Sequence, residues 1–114
     1  MKVNRLPLRA WLLGLALGAT ACGPTIGDAC TDSKECGAGV CVMKDYTPGG
    51  ACSLPCVIGG AECPAGTICV RDAIARGQPG CMKSCKSQSY CRDGYVCKIE
   101  KDSETPICVG PAGI

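Results

Sequence analysis

Twelve of the chain's thirteen cysteines fall into three sets of four at nearly constant intervals. The first set runs Cys30-x5-Cys36-x4-Cys41-x10-Cys52. The second runs Cys56-x6-Cys63-x5-Cys69-x11-Cys81, and the third Cys85-x5-Cys91-x5-Cys97-x10-Cys108. Only three residues join one set to the next: Ser53-Leu54-Pro55, then Met82-Lys83-Ser84. Scattered cysteines would not keep such a register three times, so the chain is built from repeats. Units at 30–55, 56–84 and 85–114 follow.

The residues between the cysteines repeat as well. A glycine stands three positions after each second cysteine (Gly39, Gly66, Gly94), and a β-branched residue precedes each third one (Val40, Ile68, Val96). This predicts a turn through a glycine of positive φ, followed by an extended strand. After the third cysteine each unit reads as a β-hairpin. Its third and fourth cysteines then lie on opposing strands: Cys41 and Cys52, Cys69 and Cys81, Cys97 and Cys108. The expected fold class is therefore small and disulfide-rich, mostly loops with short β-hairpins in three tandem mini-repeats laid end to end as a rod, with little hydrophobic core.

Composition agrees. The 114 residues hold no His, no Phe and one Trp, Trp11, and after Cys22 the aromatics are Tyr46, Tyr90 and Tyr95. A chain so short of large side chains cannot bury enough apolar surface to offset its ordering entropy, so covalent cross-links substitute. Four cysteines permit three connectivities, and sequence alone does not choose among them. The favoured one is alternating, because it ties the turn to the hairpin: Cys30–Cys41, Cys36–Cys52, Cys56–Cys69, Cys63–Cys81, Cys85–Cys97 and Cys91–Cys108.

The N-terminus reads as an export signal. Residues 1–9 are basic, residues 10–18 are apolar, and Ala19-Thr20-Ala21 are small. The uncharged run is too short and too rich in glycine for a membrane span. Residues 1–21 are thus expected to be removed. The layout resembles the lipobox of bacterial lipoproteins, with Thr20 and Ala21 at the small positions and Cys22 at the modified one. The resemblance implies that Cys22 carries a diacylglycerol thioether and an N-acyl chain of palmitate type. Ala19 stands where that family most often has Leu, and Ala19-Thr20-Ala21 also suits an ordinary signal peptidase cutting at the same bond. Residues 22–29 are then the lipidated N-terminus and a short tether. Gly23 after the cysteine implies sorting to the outer membrane or cell surface of a Gram-negative-type bacterium, with a periplasmic or secreted protein as the alternative. From Cys30 to Cys108 the spacing resembles the cysteine-rich repeats of bacterial surface lipoproteins, which look like the N-terminal module of Dickkopf proteins and, more loosely, EGF-like modules.

Several function classes are disfavoured. Lys2, Arg5 and Arg9 precede Cys22 with no acidic residue among them, leaving 9 basic against 10 acidic residues, net −1. This gives no footprint for nucleic acid. Without His there is no His-based nucleophile or proton shuttle, and without Cys-x-x-Cys no redox motif. The absence of that spacing also argues against structural zinc. Asp28, Asp32, Glu35 and Asp93 read as turn and cap residues. No cofactor and no enzymatic activity are expected. One binding element stands out, the ten-residue insert from Arg71 to Gly80, with Arg71, Arg76 and an exposed-looking Ile74. The expected function is a non-enzymatic, lipid-anchored envelope protein for surface display or contact with a protein partner. The alternative is a freely secreted binding module, such as a protease inhibitor using Arg76-Gly77 or a toxin-like factor.

Overall fold

The structure, a computed structural model, describes residues 25–100 and 103–114. Three two-stranded antiparallel hairpins follow one another. The first pairs β1 (Val40–Val42) with β2 (Ala51–Ser53), the second β3 (Thr67–Ala75) with β4 (Gln78–Lys83), and the third β5 (Val96–Lys98) with β6 (Ile107–Val109). Short 3-10 turns at Ser33–Cys36 and Gln88–Tyr90 precede the first and third. No helix among the described residues is long and apolar enough to cross a membrane. This is a small disulfide-rich fold of short hairpins.

Six disulfides join Cys30 to Cys41, Cys36 to Cys52, Cys56 to Cys69, Cys63 to Cys81, Cys85 to Cys97 and Cys91 to Cys108. Cys41 faces Cys52, Cys69 faces Cys81 and Cys97 faces Cys108 across the ladders, yet each bonds back to an earlier cysteine of its unit. The hairpin is thereby tied to the segment that leads into it. Closing loops of 11 to 18 residues, each bridge contributes about 3 kcal/mol in the chain-entropy account.

The second strand of each hairpin is the centre of its unit. Its far edge is occupied by the lead-in segment: Leu54 O accepts from Cys81 N at 2.9 Å, Pro55 bridges Gly80, and Ser84 bridges Ile107. In the first unit the same place is taken by residues 27 and 28, with Gly27 N donating to Cys52 O at 2.8 Å and Cys52 N to Asp28 O at 2.9 Å. Residues 25–29 of the expected tether are therefore a built part of the first repeat, and residues 22–24 lie outside the described residues.

The repeats close on one another, and the rod expected from tandem units is not formed. Units one and two meet where Ser53 Oγ donates to Cys81 O and Tyr46 OH to Ala73 O. Units two and three share the apolar cluster of Val70, Ala73, Met82, Ile107 and Val109, onto which Ile68, Val96 and Ile114 pack. Units three and one meet where Gly110 N donates to Tyr46 O at 2.8 Å. With so few large side chains, no unit can bury an apolar face alone. Each therefore covers its neighbours, and elsewhere the interior is mostly sulfur, with Cys30, Cys36 and Cys52 in the first unit and Cys85, Tyr95 and Cys108 in the third.

Candidate functional site

Where the three repeats meet, a cavity of about 620 Å³ opens to the surface. Its floor is buried and made of small or flexible side chains, including Ala51, Cys52, Ser53, Ala73, Cys81 and Met82. Its exposed rim is formed by Thr25, Asp28 and Ala29 of the lead-in, Ala38 of the first unit, and Ala65 and Lys83 of the second, while Arg92, Tyr95 and Cys108 of the third unit also line it. The size and the apolar lining with few polar groups are those of a small-molecule or lipid site. Alanine and glycine leave the space open.

One wall is held by Arg92. Its guanidinium donates to Gly27 O at 2.7 Å, to Pro48 O at 2.8 Å and to Gly50 O, and it contacts Tyr95 OH at 3.0 Å. The group also lies 4.5 Å from the Tyr95 ring centroid. Tyr95 OH in turn donates to Pro48 O at 3.0 Å. One fork of donors thus gathers carbonyls from the lead-in and from the Thr47–Gly50 turn, joining units one and three. Burial raises the Tyr95 phenol above its ordinary value while the adjacent Arg92 charge pulls the other way. Burial raises the Tyr46 phenol too, helped by the Asp72 carboxylate.

Most of the Arg71–Gly80 insert belongs to β3 and β4. It prolongs the second hairpin to a two-residue turn, Arg76-Gly77, flanked by the pair Ala75↔Gln78. A large bulge sets four residues of β3 against Pro79 alone, a residue with no N–H for the ladder. Asp72 occupies the bulge at φ 62°, and its Oδ1 accepts from Gly77 N at 2.6 Å. Arg71 and Arg76 are exposed. Ile74, expected on the surface, is half-buried over Gly80: a Cβ there would come within 2.6 Å of Ile74 Cγ1. The insert therefore offers a two-residue tip carrying Arg76, with Ile74 turned to structural use.

The carboxylates mostly serve turns. Asp28 accepts from Thr25 N, and Asp32 caps the first 3-10 turn with Glu35 completing a capping box. Backbone N–H groups of Thr31 and then Asp32 hold the Glu35 carboxyl below its ordinary value. Three groups of sulfurs lie within 4.8 Å of one another: Cys30, Cys36 and Cys52; Cys56, Cys63 and Cys69; Cys85, Cys91 and Cys108. All are disulfide sulfurs from the two neighbouring bridges of one unit, whereas zinc takes thiolates. Cys22 and the export signal expected at 1–21 lie outside the described residues.

Sequence reasoning missed Arg92, Tyr95 and the cavity. The available signal was scarcity: a chain with three tyrosines after Cys22 places two of them at contacts between repeats. No family model matches the chain, and no curated protein or solved structure matches it either.

Proposed function

We propose that the chain is a non-enzymatic module of the cell envelope, anchored through a lipidated Cys22 and presenting three closed disulfide repeats to a protein partner. The observation that carries this reading is the cysteine arithmetic. Thirteen cysteines are present and six disulfides use twelve, so Cys22 is left without a partner in any repeat. A chain stapled this densely belongs to an oxidising, exported environment. There an unmodified N-terminal thiol is a liability, and a thioether-linked lipid removes it. One acyl chain binds a membrane only marginally, so the diacylglycerol plus N-acyl pattern of the lipoprotein family is what a stable anchor needs.

The test is the intact mass of the mature protein, extracted from envelopes without reductant. Six disulfides together with an acylated Cys22 are expected. A product beginning at an unmodified Cys22 would refute the anchor.

A second reading, a secreted inhibitor of trypsin-like proteases, draws on the exposed Arg76 at the two-residue tip of the second hairpin. It requires stoichiometric inhibition of trypsin that disappears in Arg76→Ala, and absence of inhibition removes it.

A further inference from the structure

The cavity between the repeats has no part in anchoring by Cys22 or in display of the Arg76 tip. Three observations bear on what fills it. Its floor is mostly apolar and includes Met82, an unbranched side chain that adapts to irregular occupants. One wall is the lead-in itself, Thr25 to Ala29, fixed by Cys52 and by Arg92. Cys22 precedes that wall by three residues, a reach of at most about 10 Å for its backbone.

We propose that the cavity houses an acyl chain carried by Cys22. The inference rests on the reading of Cys22 as lipidated. Hydrocarbon attached at this point has two apolar destinations, the bilayer and the cavity, and the same expulsion from water drives it into either. The short connection favours the cavity, because no more than about 10 Å of backbone separates Cys22 from Thr25, a lining residue, and this gives the attached chain a high effective concentration there. The floor offers few polar groups, as an uncharged acyl chain requires. A lipid bound there would be shielded whenever the protein is out of the bilayer. The anchor and the folded domain would then be one unit, with the lipid contributing to the contact between repeats.

The experiment uses the full chain, expressed in a lipoprotein-processing bacterium fed a diazirine-bearing palmitate analogue. Envelopes are irradiated, and the protein is digested and mapped by mass spectrometry. The expected result is an acylated Cys22 with cross-links to peptides containing Ala38, Ala65 or Met82. Acylation with cross-links only to phospholipid overturns the cavity assignment and leaves the anchor standing. Lack of acylation instead refutes the anchor, and this inference falls with it. A Cys22→Ser protein given the free analogue separates the sources. Labelling of those peptides by added acid, with none from the wild type's own chain, overturns the proposal in favour of exogenous lipid. Ala65→Trp, on the exposed rim, is expected to lower the Met82 cross-link yield about tenfold by occupying the mouth. Its six disulfides and its acyl mass should be unchanged. An undiminished yield in that variant also overturns the assignment.

Discussion

Arg92 carries more inter-repeat contacts than any other side chain described above, and its chemistry explains why. Carbonyls of Gly27, Pro48 and Gly50 converge on it from two separate segments, and only a planar fork of donors satisfies several at once. Arg92→Ala leaves those carbonyls unpaired at a partly buried site. It should lower unfolding stability by about 2 kcal/mol or more. Arg92→Lys should recover little, since a point charge cannot span the fork. Denaturant unfolding without reductant, comparing both variants with wild type, measures this. The repeated glycines also differ residue by residue. Gly66 and Gly94 take positive φ as the third residues of turns closed by Thr67 N to Pro64 O and Tyr95 N to Arg92 O. In the first unit the shorter spacing moves that job to Gly37, at φ 62° and ψ −120°, the mirror-type turn. Gly39 is instead required by contact, because a Cβ there would collide with Ser53 O. Gly66→Ala should therefore cost about 1 kcal/mol through backbone strain alone. Gly39→Ala should cost more, since backbone must move.

Among the elements, the second hairpin departs most from its siblings. Its length comes from the bulge, and the bulge depends on Asp72, whose carboxylate holds Gly77 N while its backbone accepts left-handed geometry. Asp72→Ala loses both features and should destabilise the tip by about 1–2 kcal/mol. Asp72→Gly keeps the conformation and should cost less. Amide exchange at Gly77 reads the difference, with faster exchange expected in both variants and unchanged exchange counting against the assignment. The other hairpins close their outer edges with side chains, Ser33 Oγ accepting from Cys41 N at 2.9 Å and Gln88 Oε1 from Cys97 N at 3.2 Å. The disulfides act at this scale too. Replacing both Cys36 and Cys52 by Ala should cost about 3 kcal/mol. The loss should exceed that of any surface substitution in the same unit, as a thermal midpoint comparison would show.

The whole molecule is held by contacts between repeats that include two phenol donors. Tyr46 OH donates to Ala73 O across units one and two, and Tyr95 OH to Pro48 O across units three and one. Burial raises both phenols above their ordinary value, so the folded state favours the neutral form. Their contribution is complete below the unfolded phenol value near pH 10 and is lost as pH climbs through the higher folded values. Stability should fall above about pH 10, and the fall should be shallower in Tyr46→Phe and Tyr95→Phe. Ultraviolet titration of the phenolates alongside short-time unfolding measurements checks both. A phenolate titrating at its ordinary value in the folded protein would contradict the burial argument.

Cysteine spacing by itself determined the number of repeats, the hairpin in each and the facing of third and fourth cysteines. These are local consequences of turn and strand chemistry within about 25 residues. Spacing also singled out Cys22 by subtraction. It left the disulfide connectivity open among three choices, because each depends on which sulfurs the folded backbone brings together. It gave a rod where there is a closed set of three, and a tether where Thr25 to Ala29 complete the first repeat. The physical reason is common to these cases. Carbonyls of Gly27, Leu54 and Pro48 look alike in sequence, and only the tertiary fold decides which distant donor each one meets. The cavity is the plainest example. Ala38 and Ala51 of the first repeat, Ala65 of the second and Tyr95 of the third are unremarkable one by one, and they become a site only when the three repeats turn them toward one another.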